Sequence, residues 1–338
     1  MRSAMHATFY KPIFAGALAL VVAAVTAAAL DGRAQSAGPA APHTISAERD
    51  YPVQPVPFTD VHLDDVFWAP RIEINRRETI PFAFQQCERT GRVENFVRAA
   101  AALRGERLAD RKPPGYPFDD TDVYKIIEGA SYALSVQPDP TLDAYVDRVI
   151  EKIAAAQEPD GYLYTARTID PEHPHPWAGK QRWELERDDS HELYDLGHLY
   201  EAASAHYLAT GKRNLLDVAI KSANLLVNTF GPGKRSIWPG HQITEMGLAK
   251  LYRVTGDERY LALARFMLDE RGPSEGEKTN PRGLTYNQAQ APVVDQTEAV
   301  GHAVRATYMY SGMADVAALT GDGSYLKAVD AIWDNVVG

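Results

Sequence analysis

Three apolar runs of helix length in this chain each begin at a histidine and end at a Thr-Gly pair. The starts read His191-Glu192-Leu193-Tyr194, Gly240-His241-Gln242-Ile243 and Gly301-His302-Ala303-Val304. The ends are Thr210-Gly211, Thr255-Gly256 and Thr320-Gly321. A second helical run follows each Gly, with a leucine at a matching place: Leu216, Leu261 and Leu326. Gly just past a helix supplies the left-handed C-cap, so the chain reads as a recurring helix-turn-helix unit. Stacking such units side by side brings the three imidazoles to one level. That is a site in the making.

The pattern extends in both directions. Val123 to Ser135 is helical, with Asp122 as a plausible N-cap. Pro138-Asp139-Pro140 breaks it, and the return runs from Leu142 to Gln157. Shorter helices read over 71–87 and 94–103. The histidine units read over 191–208 and 213–230, 241–253 and 258–270, and 298–319 and 324–337. Strand signals are almost absent. Long connections, Glu158 to Ser190 and Gly272 to Asp295, join one unit to the next at the end where the histidines lie. Binding residues collect on such loops. The expected fold class is therefore all-α, an (α/α)6 toroid of helical hairpins rather than an open solenoid. Fewer hairpins are legible than six, so the toroid reads as incomplete in this chain, and the chain as part of a longer protein.

The composition, 45% hydrophobic and 24% charged over 338 residues, supports a large core. A net charge of −10 argues against nucleic acid or an anionic membrane surface as partner. Arg2 and Lys11 precede an uncharged stretch, Ile13 to Leu30, followed by Gly32-Arg33-Ala34-Gln35. Residues 1–34 read as a secretory signal peptide, which places the mature protein in the periplasm or outside the cell. The alanine-rich stretch is weakly apolar for a retained anchor, so no membrane is expected after cleavage. Residues 35–56, rich in Ala, Pro and Ser, read as a disordered linker, and residues 57–338 as the helical domain. The single cysteine, Cys87, rules out an internal disulfide. It follows Phe82, Ala83 and Phe84 on a helical pattern and reads as a buried thiol rather than a nucleophile.

A neutral imidazole at a helix N-terminus both donates and accepts a hydrogen bond, which suits sugar hydroxyls. His198 falls two turns into its helix and reads as packing, and His206 does not share the repeated position. His173 and His175 lie in a proline-rich loop with no acidic or Cys partner beside them, so no metal is assigned to them. Asp120 and Asp122 precede a first helix where the histidines do, either as caps or as contacts. Asp295, Gln296 and Glu298 precede His302 and are candidates for the pocket rim. In Asp160-Gly161-Tyr162-Leu163 the Gly makes a turn and Tyr162 is a candidate aromatic platform for a sugar. None of these makes the facing acid/base pair a glycosidase needs. There is no Gly-rich phosphate loop, nucleophile elbow or zinc-binding Cys cluster.

Taken together, several stretches resemble glycoside hydrolase family 127, the β-L-arabinofuranosidase family. They are Asp119-Asp120-Thr121-Asp122-Val123-Tyr124-Lys125, Ala156-Gln157 with Asp160-Gly161-Tyr162-Leu163, and Ser190-His191-Glu192-Leu193-Tyr194. Gly240-His241, Tyr252-Arg253-Val254-Thr255-Gly256 and Asp269-Glu270-Arg271-Gly272 continue the series. It ends with Asp295-Gln296-Thr297-Glu298-Ala299-Val300-Gly301-His302-Ala303-Val304-Arg305. The resemblance covers about Phe58 to Gly338, the N-terminal part of the family's catalytic domain.

The resemblance implies an (α/α)6 barrel followed by β-sandwich domains. It implies retaining removal of β-L-arabinofuranosyl or related residues from non-reducing ends, with arabinose-containing or related plant glycans as partners. Three histidines contact the sugar in this family, and they correspond to His191, His241 and His302. Asp122 and Gln296 join them here as candidate substrate contacts. The family's acid/base is a Glu in a Gly-Glu-Ala/Ser-Phe stretch. Its nucleophile is a Cys thiolate held by zinc with further Cys and Glu ligands. Neither that stretch nor those cysteines occur in this sequence, and Cys87 matches none of them. No catalytic and no metal residue is therefore assigned, and zinc is expected as a cofactor of the full-length family with its ligands absent here. The chain is expected to act with the C-terminal remainder of the same protein and to be inactive alone. An α/α-toroid sugar epimerase or isomerase using histidines as acid and base, a non-catalytic carbohydrate-binding protein and a pure scaffold are the alternatives.

Overall fold

The structure, a computed structural model, describes residues 49–273 and 283–338. The expected signal peptide and residues 35–48 of the expected linker lie outside the described residues. Among the described residues the chain is helical, apart from one isolated bridge between Phe230 and Arg235. Helix α1 (Trp68–Ile74) passes through a π turn, Asn75–Thr79, into α2 (Ile80–Arg89). There follow α3 (Arg92–Leu103), α4 (Asp120–Val136), α5 (Pro140–Ala155), α6 (Glu192–Thr210) and α7 (Asn214–Thr229). The last four are α8 (Thr244–Thr255), α9 (Glu258–Asp269), α10 (Ala303–Thr320) and α11 (Gly323–Val337).

These helices form successive hairpins, α2/α3, α4/α5, α6/α7, α8/α9 and α10/α11. The first members pack in a row, each against the next, and α3, α5, α7 and α9 do the same behind them. This two-layered succession is the α/α toroid arrangement. The outer helices bury one stripe. In α5 it is Val146, Val149, Ile150 and Ile153, spaced by three and four residues. Helix α6 is buried at every position from Glu192 to His206, because α4 and α8 flank it while α7 backs it.

The repeated Thr-Gly has a mechanical basis. Each Thr hydroxyl donates to the carbonyl four residues back (His206, Leu251, Val316) and accepts the N–H two residues on (Lys212, Asp257, Asp322). The side chain thus stitches the turn that the left-handed Gly permits. Asp257 and Asp322 then cap the returning helices through the N–H groups of Arg259 and Ser324. Leu216 and Leu261 are buried, whereas Leu326 on the last helix is exposed.

Two sequence expectations change here. The linker reading fails at its C-terminal end, because Asp50 pairs with Arg253 of α8 and the Tyr51 hydroxyl donates to Asp315 of α10. Phe58 then packs edge-on to Tyr132 of α4 at 5.0 Å. Helix starts also move. Asp122 sits inside the first turn of α4, which begins at Asp120, and does not cap it. Helix α10 begins at Ala303 rather than near Glu298, since Gly301 has φ +77° and His302 is extended. Among the described residues no helix is long and apolar enough to cross a membrane.

Candidate functional site: a row of histidines

The two Gly-His pairs exist because two loops crowd the backbone there. A Cβ on Gly240 would lie 2.2 Å from the carbonyl oxygen of Glu186, and one on Gly301 would lie 2.1 Å from that of Thr285. Only glycine admits these approaches. The next residue then emerges at a fixed height. His191 reaches the same height differently, by adopting the left-handed conformation itself at φ 62°. Ile243, two residues after His241, has φ 139°, an outlier for a β-branched residue. Such strain persists only where the surroundings over-determine it, and here it turns the chain from His241 into α8.

Buried hydrogen bonds hold these loops. Glu192 turns inward while its neighbour His191 faces the site. Its carboxylate accepts from the Trp183 N–H (2.8 and 2.9 Å), the Ser190 hydroxyl (2.9 Å) and the Tyr162 hydroxyl (2.5 Å). Glu186 beside it accepts from the Leu193 N–H and lies 3.1 Å from the Ser190 hydroxyl, whose single proton goes to the nearer Glu192. Burial first, and the Glu192 carboxylate second, push Glu186 up to about 8. Two buried arginines fix the chain before His241. Arg305 donates to Gly240 O (2.6 Å) and Asn287 Oδ1 (2.5 Å). Arg271 donates to Pro239 O (2.7 Å), Asn287 O (2.9 Å) and the Glu245 carboxylate (3.1 Å).

The three imidazoles form a row. Ring centroids of His191 and His241 are 5.7 Å apart, and those of His241 and His302 are also 5.7 Å apart. Tyr194 lies against His241 at 4.3 Å and against His198 at 4.7 Å. Tyr308 lies 6.1 Å from His241, and Tyr286 lies 5.4 Å from His302. Lys125 donates to the Tyr194 hydroxyl at 2.7 Å and ties α4 to α6 beneath the row. Phe118 closes the His191 side at 4.9 Å.

Local hydrogen bonds set the tautomers. His191 Nδ1 donates to Asp189 O at 2.5 Å, and His241 Nδ1 donates to Gln242 O at 3.0 Å. In the neutral His241 ring Nε2 is then the acceptor. His302 is the reverse, because its Nδ1 accepts the Arg305 N–H at 3.4 Å, which makes Nε2 the donor. Burial, not the helix dipole alone, keeps His241 neutral. Desolvation leads, and the charge of Arg305 adds to it, so its pKa falls to about 2. The row thus centres on a neutral imidazole flanked by two others, suited to a hydroxyl-rich neutral ligand.

A family model described as the β-L-arabinofuranosidase GH127 catalytic domain matches residues 60–338. The chain belongs to this GH127 family. The non-reducing end β-L-arabinofuranosidase of Bifidobacterium longum subsp. longum is 41% identical over 262 residues, covering 72% of this chain and 38% of that protein. A solved GH127 β-arabinofuranosidase superposes with a TM-score of 0.79 at 57% identity, over 86% of this chain and 44% of the other. A GH127 β-L-arabinofuranosidase from Geobacillus stearothermophilus T6 gives 0.74 at 40%, over 82% and 45%. The chain therefore spans less than half the length of these relatives.

Within this GH127 chain the expected site residues part company. His191, His241 and His302 come together. Asp122 lies at the first turn of α4, close enough to Tyr194 to act on its phenol, and is held by Arg92 Nε at 2.5 Å. Asp120 is buried instead, accepting from the Thr165 N–H and hydroxyl. Gln296 is buried, and its amide N–H donates to Gln288 O (2.8 Å) and Ala291 O (2.9 Å), bracing the loop before His302. Tyr162 is no platform, being buried with its hydroxyl on Glu192. Sequence reading gave no site role to Lys125, Tyr194 and Tyr308, which lie in the first two turns of their helices. It also missed Arg271, Asn287 and Arg305, which act through backbone carbonyls.

Among the described residues no group of three His, Cys, Asp or Glu side chains is placed to hold a metal ion. The imidazoles meet as tilted and edge-on rings, at interplanar angles of 43° and 67°. Cys87 is buried, and burial pushes its thiol up to about 11, the opposite of a metal-bound thiolate. The described residues do not fit a zinc centre.

Proposed function

We propose that the histidine row is the sugar-holding wall of a retaining glycoside hydrolase acting on non-reducing-end β-L-arabinofuranosyl residues. The observation that carries this reading is the even row of three imidazoles with locally fixed tautomers. A terminal sugar presents hydroxyls that each donate and accept. His241 takes a hydroxyl proton at Nε2, and His191 and His302, each 5.7 Å from it, flank it as further contacts. The buried, neutral His241 is largely desolvated before the sugar arrives, so its bond discriminates against a sugar of the wrong stereochemistry. Retention requires a nucleophile and an acid/base flanking the scissile bond. Neither role falls to a residue of this sequence, so the wall works with catalytic groups and zinc supplied outside these 338 residues. The export reading of residues 1–34 accompanies this function, and N-terminal sequencing of the mature protein tests it.

The test is binding and turnover in the full-length protein. His191→Ala, His241→Ala and His302→Ala each weaken affinity for a β-L-arabinofuranoside by about tenfold, at about 1.4 kcal/mol per decade, with helicity unchanged. Unaltered affinity across all three variants would reduce the row to scaffold. Conversion of free arabinose to an epimer, with no glycoside cleavage, would replace hydrolysis by isomerisation.

A further inference from the structure

Next to the histidine row stands a second group of rings that packing alone does not account for. Phe118, which touches His191 at 4.9 Å, stacks on Tyr116 at 5.3 Å with an interplanar angle of 16°. Tyr116 in turn lies 6.5 Å from Trp177, tilted by 52°. Tyr116 is 52% exposed and Trp177 is 41% exposed. Large aromatics clustered at a surface mark contact sites rather than spare core.

These rings are also held in place. The N–H groups of Gly115 and Tyr116 donate to Asp119 Oδ2 at 3.1 and 3.3 Å, and Asp119 pairs with Arg92 at 3.2 Å. The Trp177 N–H donates to His175 Nδ1 at 3.1 Å, and the His175 ring packs edge-on to Trp177 at 5.6 Å. His175 is itself buried and hydrogen-bonds the backbone of Gly115. One side chain thus clamps together the two loops that carry Tyr116 and Trp177. Fixing exposed rings in advance lowers the ordering cost of binding.

We propose that Tyr116, Phe118 and Trp177 form a platform for the sugar ring next to the terminal one, on the leaving-group side of the scissile bond. The inference rests on the proposed function, since it takes the histidine row as the seat of the terminal sugar. A sugar ring presents one face of C–H groups and an edge of hydroxyls. The C–H face packs on the electron-rich face of an aromatic ring, and the hydroxyls stay in water. Half-exposed rings match that division, whereas core rings are buried on both faces. The stacked pair extends directly from His191, so a linked ring is carried over Phe118 and Tyr116, with Trp177 forming a corner beyond.

The experiment measures kcat/KM of the full-length protein on methyl β-L-arabinofuranoside and on a β-L-arabinofuranosyl disaccharide. Trp177→Ala and Tyr116→Ala each lower the disaccharide-to-methyl ratio about tenfold, mainly through KM, while Trp177→Phe and Tyr116→Phe hold it within about twofold. An unchanged ratio overturns the platform, even where both activities fall, because equal losses report disordered loops. Inactivity of the wild type on both substrates would sink the proposed function instead. The platform is then read by calorimetry with an arabino-oligosaccharide. Affinity about tenfold weaker in Trp177→Ala supports it, and any smaller difference, including no binding by either protein, overturns it.

Discussion

Gly240 lies so close to Glu186 that a Cβ on the glycine would sit 2.2 Å from the glutamate's carbonyl oxygen. The obstacle is backbone, which cannot swing aside, so Gly240→Ala must push apart the two loops that set the height of His191 and His241. Overpacking of this kind costs about 1–3 kcal/mol, and sugar affinity falls with it. Gly129→Ala is the contrasting change. Nothing lies within 4 Å of a Cβ there, and the residue is inside α4, so alanine raises stability by about 0.5–1 kcal/mol. Thermal melts of the two variants should move in opposite directions, and equal shifts would contradict the crowding at Gly240.

How far this site is legible from sequence depends on how local its causes are. The hairpins, and the placing of His191, His241 and His302 at the same end of them, follow from helical periodicity and from Gly past each helix, which are set within a few residues. The helix starts do not. Ile243 and Gly301 take their backbone angles from loops far along the chain, such as the Thr285 carbonyl that crowds Gly301. Tyr162 looks like a surface platform until Glu192, thirty residues away, is seen to take its hydroxyl. The loop carbonyls of Gln288 and Ala291 that the Gln296 amide braces are likewise invisible in the local pattern. The clamp that joins Tyr116 to Trp177 links two loops that no periodicity relates.

His302 has two separable jobs. Its Nδ1 accepts the Arg305 N–H as a helix cap, and its other nitrogen is assigned to the sugar. Asn is a good N-cap and Ala is not. His302→Asn therefore keeps most of the stability and loses sugar affinity, whereas His302→Ala loses affinity and about 1 kcal/mol of stability. Denaturant melts beside binding isotherms for both variants make the comparison. Equal stability of the two variants would remove the capping role.

Stability should peak in mildly acidic solution. His198 and His241 are pushed down to about 3 and about 2 by burial, below the usual value near 6.5. The unfolded chain then binds more protons, so their contribution is present above pH 6.5 and is lost as pH falls. Asp120 and Glu201 are pushed up to about 7, and Glu186 to about 8, again chiefly by burial. For these the folded chain holds the extra protons, so their contribution is present below about pH 4 and is lost as pH rises to 7–8. The two trends oppose each other between about pH 4.5 and 6.5, giving a plateau there. Above it only the carboxyls act, and Tm falls toward pH 8. Melts across pH 4–9 check this, and a Tm that climbed steadily to pH 9 would refute the assignment of buried neutral carboxyls.

The segment at Asp50 and Tyr51 bridges two first-layer helices. Arg253 of α8 pairs with both Asp50 oxygens, at 2.5 and 2.7 Å, and also lies over the Tyr51 ring. The Tyr51 hydroxyl donates to Asp315 of α10 at 2.9 Å. Side chains 11% and 27% exposed place the Asp50–Arg253 pair between a surface bridge and a buried one. Its loss in Asp50→Ala therefore costs about 1 kcal/mol, and amide exchange quickens at the C-terminal ends of α8 and α10 but not in α5. Arg253 holds the Asp50 carboxyl below its usual range. A depressed carboxylate contributes above its unfolded pKa near 3.8 and loses that contribution as pH falls further. The stability gap between the wild type and Asp50→Asn should thus be full at pH 6 and close in acid. A gap that persisted at pH 2 would show that the segment acts through packing of Tyr51 and Phe58 rather than through the ion pair.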